Sequence, residues 1–270
     1  MGAQLNSPQA VSPHLKSGAA SKGMLYRELA SALVLTCAAC FIGGAPFIIL
    51  TAVVLLCVFA GNFIFQAAGL SVSPRWDISL FHQALILSLF VPKEMLLSVA
   101  VFVALAFVLF YRLSGGRSGY VIQPVCLALA FLQIFGMSPA FQLEKLSLLT
   151  GGVVAALWLT IRFPRTLLET RRMAFVFSAA ILLSFLQQVN FVFALVWSFA
   201  AGELIFDSAL MPLSKTGRMK QQVATLILFA LLLVITARNE AMLLSGLAMS
   251  FFAGWIENSC VTRKAYALAK

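Results

Sequence analysis

Ten long apolar stretches, separated by short polar links, run through this 270-residue chain. The chain is 61% hydrophobic and only 10% charged, and a water-soluble core of this size cannot bury so much apolar surface. We therefore predict an all-α integral membrane protein, because helices satisfy their own backbone hydrogen bonds in hydrocarbon. The predicted helices cover residues 29–44, 46–67, 78–91, 95–111, 120–136, 146–161, 173–188, 190–206, 221–237 and 240–256.

Several of these stretches, among them 78–91 and 190–206, are shorter than the roughly 20 residues that a full crossing requires. Each of these two is the third stretch in its set of five. Short segments at matching positions are typical of broken or re-entrant helices in inverted repeats. We predict ten transmembrane or half-spanning helices as two inverted five-helix repeats, with a leader 1–24, a first repeat 25–136, an outer loop 137–145, a second repeat 146–258 and a basic tail 259–270.

The positive charges fall on one side of this arrangement. If every stretch crosses once and the N-terminus is inside, 16 of the 19 lysines and arginines lie inside, and only Lys93, Lys145 and Arg238 lie outside. The positive-inside rule then predicts that both termini are cytoplasmic. Topology and anionic lipid explain the net charge of +10, so no nucleic acid partner is expected.

Three ionisable side chains within or beside the apolar stretches are candidates for proton or ion contacts: Asp77, His82 and Glu203. Ionisable groups at membrane depth are costly and usually functional. The alternative for His82 is a hydrogen bond to backbone near a helix entrance. Asp207, one turn after Glu203, can share its helix face or cap the irregular segment that ends at Pro212.

Other features favour structural roles. Cys37 and Cys40 form a C-x-x-C within an apolar helix, where small packing residues are expected; an iron-sulfur cluster shared with a partner is the alternative. The basic loops 162–172 and 215–220 can face lipid headgroups or dock an acidic soluble protein. Motifs of soluble nucleotide-binding, zinc-protease and serine-hydrolase enzymes are absent, so we do not expect catalysis of the kind that soluble enzymes carry out.

Four segments, in order along the chain, resemble the family of the Rnf D subunit and of the B subunit of the sodium-pumping NADH:quinone reductase. They are the Ser12-Pro13-His14 leader, the short helix that opens at Asp77 and closes at Pro92, the Gly115-Gly116 loop followed by Gln123-Pro124, and the segment Asp207 to Pro212 to Gly217.

The resemblance implies ten helices in two inverted five-helix repeats and a bacterial inner-membrane location. It also implies a membrane subunit that passes electrons through or beside flavin. Its partners would be other membrane and soluble subunits of a redox complex, with a ferredoxin-like or flavoprotein donor. The implied cofactor-binding residues are Gly115, Gly116, Gln123, Pro124, Asp207 and Pro212.

The chain departs from the family at two places. Flavin-bearing members attach FMN to a threonine in the outer loop after the fifth helix, but residues 136–145 contain no threonine. Covalent FMN is therefore not expected. Gln123 replaces the family's usual asparagine, and a noncovalent FMN or riboflavin remains compatible with a helix start there.

Two other classes of function stay open. A five-plus-five arrangement also suits a urea- or ammonium-type transporter or channel. A cofactor-free membrane scaffold that docks soluble redox enzymes is the third hypothesis.

Overall fold

A computed structural model gives the structure of residues 18–69, 77–94, 97–113, 122–162, 167–205 and 215–268. The regular structure within these ranges is entirely helical, which confirms the predicted all-α fold class. The nine helices described are α1 (Gly18–Ala67), α2 (Ile78–Phe90), α3 (Leu97–Leu113), α4 (Pro124–Ile134), α5 (Leu148–Ile161), α6 (Leu167–Leu186), α7 (Phe191–Ile205), α8 (Lys215–Ile235) and α9 (Arg238–Leu268).

Helix α1 consists of two segments that fold back on each other at Gly44, whose φ of 63° and ψ of −155° are not helical. Phe59 packs against Phe81 with ring centroids 5.8 Å apart. The Ser31 hydroxyl lies 2.9 Å from Glu203 Oε1. The other carboxylate oxygen of Glu203 lies 3.4 Å from Nε2 of His82, the residue that follows Phe81. A straight helix would separate residues 31 and 59 by about 42 Å, so the chain reverses at the predicted boundary between the first two stretches.

The two short helices α2 and α7 lie at the centre of the bundle and pack on each other. Eleven of the thirteen residues of α2 are buried, as are twelve of the fifteen residues of α7. Both sequences are apolar around the whole helix, the pattern of a helix surrounded by others. Helices α1 and α4 cover α2, whereas α5, α6 and α9 cover α7.

Helices α5 and α7 run parallel, because each of three contacts along them joins two residues that are 41 positions apart in the sequence. A Cβ on Gly151 would lie 2.7 Å from Val192, so the two backbones approach closely there. The rings of Trp158 and Phe199 stack at 3.9 Å. One turn further, Arg162 pairs with Glu203, which carries the interface to the ends of both helices.

The segment 137–145 fastens the opposite end of the bundle. Its Ala140 and Gln142 amides each donate a 3.0 Å hydrogen bond to the last carbonyls of α2, and the Gln142 side chain donates to the Val91 carbonyl at 2.6 Å. The side chain of Asn239, at the start of α9, donates to the Pro139 carbonyl. The loop thus satisfies carbonyl groups that a helix end leaves without intrahelical partners.

Two helices in the described ranges are long and apolar enough to cross a membrane by length and composition: Leu25–Ala67 and Thr216–Ile235. Six further apolar helices have 10–17 residues. Large apolar side chains also point outward, including Phe41, which is 85% exposed, and Phe185, which is 81% exposed. These features indicate a helical protein with two candidate membrane spans.

Several helices extend beyond the apolar stretches that predicted them. Helix α6 begins at Leu167 and α8 at Lys215, each six residues before its predicted start. Helix α9 continues into the predicted tail as far as Leu268, and α1 begins at Gly18 within the predicted leader. Lysine, arginine and alanine favour helix, so a helix can continue where apolar residues stop.

Candidate functional site

A buried charge cluster lies where α1 and α2 meet the ends of α5 and α7. We define the buried charge cluster as Glu28 and Ser31 of α1, His82 of α2, Arg162 after α5 and Glu203 of α7. Every member is at most 5% exposed. Charged residues are almost never buried to this extent unless they are paired, and the contacts within the cluster provide the pairing.

Arg162 and Glu203 form the centre of the cluster. The guanidinium Nε donates to Glu203 Oε1 at 2.8 Å, and a second guanidinium nitrogen pairs with Oε2. This two-point geometry matches the planar guanidinium to the planar carboxylate and is the stronger form of an ion pair. The Glu203 carboxylate is thereby stabilised as an ion within an apolar bundle.

The α1 segment adds a second carboxylate and a hydroxyl to this pair. Glu28 Oε1 lies 3.9 Å from another Arg162 nitrogen. The Ser31 hydroxyl, which has one proton to donate, lies 2.8 Å from the Glu28 carbonyl oxygen and 2.9 Å from Glu203 Oε1. Polar contacts therefore join the first helix to Arg162 after α5 and to α7 at this level.

His82 completes the cluster from the central helix α2. Its Nε2 lies 3.4 Å from Glu203 Oε2, and its side chain is 6% exposed. Within the described part of the chain, this nitrogen is buried and makes no hydrogen bond. The imidazole thus faces a carboxylate at ion-pair distance, and the alternative of a backbone hydrogen bond at Nε2 is not observed.

Asp77 contacts other residues than His82 does. It is the N-cap of α2, with its carboxylate accepting from the Ser79 and Leu80 amides and from the Tyr111 hydroxyl at 2.8 Å. A carboxylate at a helix N-terminus satisfies free amide donors. The structure therefore does not bring Asp77 and His82 together as one contact, because the cap holds Asp77 and α7 provides the partner of His82.

Gln123 and Pro124 stand at the start of α4, beside the cluster. Gln123 is the N-cap residue, but its side chain does not cap the helix. Its Nε2 instead donates to the Leu204 carbonyl at 2.9 Å, next to Glu203 in α7. The Gln123 Oε1 is buried and makes no hydrogen bond to the residues described.

The other four predicted cofactor-binding residues, Gly115, Gly116, Asp207 and Pro212, lie outside the described residues. Among the described residues, the candidate functional groups are therefore those of the buried charge cluster and of the start of α4. The cluster can hold a carboxylate ionised and present it to an imidazole. The α4 start presents a buried amide oxygen without a donor and the first amides of a helix.

Sequence reasoning missed Glu28, Ser31 and Arg162 as members of the site. Arg162 looked like the first residue of a basic loop, but it is 3% exposed and is not available to a soluble partner or a lipid headgroup. The sequence does indicate that Glu28 and Ser31 lie on the same face of a helix, because they are three residues apart. No sequence pattern connects them with residues 162 and 203.

The cysteines form no site in this structure. All five are free thiols, with Cys37 exposed and Cys40 half-buried on α1. Among the side chains that the structure describes, no group of three or more histidine, cysteine or acidic residues can hold a metal ion.

No protein-family model matches the chain, and a search of curated proteins finds no match either. Any assignment of function therefore depends on the residues and on the geometry described above.

Proposed function

We propose that this chain is an integral membrane subunit of an Rnf/Nqr-like electron-transfer complex in the bacterial inner membrane, with both termini cytoplasmic. It would move electrons through or beside a noncovalent flavin toward a membrane or soluble oxidoreductase partner. The observation that carries the proposal is the pairing of α2 and α7, two short, buried helices that occupy the third position in each set of five.

The directions of the helices support a two-repeat arrangement. With α1 divided at Gly44, the described residues form five helical segments in each half of the chain. His82 near the start of α2 meets Glu203 near the end of α7, and Phe141 contacts both Phe90 at the end of α2 and Phe193 at the start of α7. The two short helices therefore run antiparallel. Opposite directions at equivalent positions are what an inverted repeat requires.

The distribution of polar and apolar groups supports placement in a bilayer. Large apolar side chains cover the outside of α1, α6 and α8, as shown by Phe41, Phe185 and Val234. The charge cluster lies at one end of the bundle, whereas the exposed ion pair of Arg238 and Glu144 lies at the other. An apolar belt between polar ends fits the hydrocarbon core.

The position of the resembling segments supports the electron-transfer assignment. The short helix between Asp77 and Pro92 and the helix start at Gln123-Pro124 are both formed. Gln123 also contacts Leu204, close to the point where the chain enters the segment Asp207 to Pro212. The start of α2, the start of α4 and the end of α7 therefore lie at one end of the bundle, a suitable place for the polar headgroup of a noncovalent flavin.

The proposal is tested with the complex purified from bacterial membranes through a tag on this chain. We expect flavin absorbance in the complex, release of the flavin by acid, and loss of both flavin and electron transfer when the chain is deleted. An active complex without flavin would favour the cofactor-free scaffold. Solute uptake by the chain alone in proteoliposomes would favour a transporter.

A matched pair of variants localises the flavin. Gln123→Leu removes a side-chain amide at the α4 start, and we expect a severalfold loss of bound flavin. Gln142→Leu removes a side-chain amide that likewise donates to a backbone carbonyl, but at the other end of the bundle. Equal flavin retention in both variants would contradict a site at Gln123.

A further inference from the structure

A groove opens on the outside of the bundle between α8 and α9. Its walls are Lys220 and Ala224 of α8 and, on α9, side chains spaced three or four positions apart from Met249 to Ser259. Its volume of about 530 Å³ lies within the range of about 300–1,000 Å³ that is typical of small-molecule sites. The two helices pack on each other, and the short side chain of Ala224 leaves space between them.

The groove is polar at one end and apolar along the rest of its length. Helix α9 runs toward the C-terminus, so Ser259 marks one end, and Met249 lies ten residues, or about 15 Å, deeper. Helices α8 and α9 are joined by a link of two residues and run in opposite directions. The exposed Lys220, which precedes Ala224, therefore lies toward the same end as Ser259.

We propose that this groove binds one anionic phospholipid, with an acyl chain between Ala224 and Met249 and the headgroup phosphate at the Lys220 ammonium. A length of about 15 Å is half of a hydrocarbon core of about 30 Å, which is the depth that the acyl chains of one leaflet occupy. Trp255, which is 71% exposed, lines the groove near its polar end. Tryptophan is enriched at the level of lipid headgroups.

The charges around the polar end favour an anionic headgroup over a neutral one. The first ten residues of α8 contain three basic residues and the last fourteen of α9 contain two, whereas Glu257 is the one acidic residue in these two segments. Clusters of basic residues beside a membrane helix attract anionic lipid. A lysine such as Lys220 can lay its stem along apolar surface while its ammonium reaches the headgroup.

The lipid site rests on the proposed function in one respect, namely that the bundle spans a membrane with the C-terminus on the cytoplasmic side. The groove then lies in the inner leaflet, whose anionic lipids give the cytoplasmic surface its negative potential. The site requires neither a flavin nor electron transfer.

The test uses the full chain in phosphatidylcholine bilayers that contain a brominated phospholipid, because bromine on an acyl chain quenches a tryptophan that it contacts. The chain has four tryptophans, and subtraction of the Trp255→Phe signal isolates Trp255. We expect brominated phosphatidylglycerol to quench Trp255 at a share of the bilayer roughly tenfold lower than brominated phosphatidylcholine does, since several basic residues act together.

Two charge variants test the headgroup contact. Lys220→Gln removes the ammonium at the polar end, and we expect the preference for phosphatidylglycerol to fall roughly fivefold. Lys93→Gln removes the charge of another exposed lysine, which lies between α2 and α3 and outside the groove, and should keep the full preference. Both side chains are exposed, and circular dichroism and gel filtration confirm that each variant folds.

Two steric variants test the acyl-chain position. Ala224→Phe places a ring in the groove, and quenching by the two lipids should then become equal. Ala174→Phe adds the same ring at an exposed position of α6 and should keep the preference of the unchanged chain.

Equal quenching of the unchanged chain by the two lipids would overturn the lipid site, because Trp255 would then face ordinary bilayer. Weak quenching by both would also overturn it, because protein would then cover the groove. Flavin is measured separately on the tagged complex. Absence of flavin with selective quenching contradicts the electron-transfer function alone, whereas bound flavin without selectivity contradicts the lipid site alone.

Discussion

Arg162 and Glu203 lie 41 residues apart at the same level of two parallel helices, and their two-point ion pair closes the α5–α7 interface next to the stacked rings of Trp158 and Phe199. Both side chains are almost completely buried. Each charge therefore depends on the other for its solvation, because water cannot replace the lost partner.

Removal of the guanidinium should leave Glu203 as a buried carboxylate without its main partner. We expect Arg162→Met to destabilise the protein by about 3 to 5 kcal/mol. The measurement is thermal or denaturant unfolding of the full chain in mild detergent, followed by tryptophan fluorescence.

Arg238→Met is the matched control, because Arg238 also pairs with a glutamate but the Glu144 side chain is 47% exposed. We expect a loss of about 1 kcal/mol or less there. If both variants lose a similar free energy of unfolding, the ion pair of Arg162 and Glu203 does not stabilise the protein more than an exposed pair does.

Two adjacent glycines in α5 provide a test of the helix packing. A Cβ at Gly151 would lie 2.7 Å from the Val192 side chain, whereas a Cβ at Gly152 would meet nothing within 4 Å. Gly151→Ala should cost about 1 to 3 kcal/mol through overpacking. Gly152→Ala should be neutral or slightly stabilising because alanine favours helix.

The reversal of α1 depends on the backbone of Gly44. Its φ of 63° and ψ of −155° belong to a region that glycine alone adopts readily. Gly44→Ala should lower the unfolding free energy by about 1 to 3 kcal/mol. Gly254→Ala serves as the control, because Gly254 lies in α9 with open space around it. Equal changes in the unfolding free energy of the two variants would show that the reversal of α1 does not depend on Gly44.

Asn239 joins three parts of the bundle at the end opposite the buried charge cluster. Its side chain accepts from Trp197 Nε1 at 2.9 Å and donates to the Pro139 carbonyl at 2.9 Å. Asn239→Leu leaves both groups buried without these partners and should cost about 2 to 6 kcal/mol, from about 1 to 3 kcal/mol for each group. Ser138→Ala removes only an exposed contact with Glu240, and unfolding midpoints of the two variants should differ clearly.

The apolar stretches predicted most helices of the described residues, because apolar segments in a chain of this composition are both buried and helical. The boundary near residue 45 and the short helices α2 and α7 follow from runs of apolar residues and their interruptions. Helix ends were less predictable, since lysine and arginine extend α8 and α9 past the apolar positions.

The cluster could be predicted only in part. The position of Glu203 in an apolar stretch marked it as functional, and His82 was marked for the same reason. Arg162 was hidden because an arginine beside a proline and other arginines resembles a loop residue. Its pairing depends on the register of α5 and α7, which is a property of the three-dimensional packing.

The assignment of a noncovalent flavin is tested most directly by the absorption spectrum of the complex purified through this chain, together with the mass of the chain itself. We expect flavin absorbance that disappears from the protein after acid treatment, and a chain mass equal to that of the unmodified sequence. An active complex without flavin, or a chain carrying the added mass of FMN, would contradict this assignment.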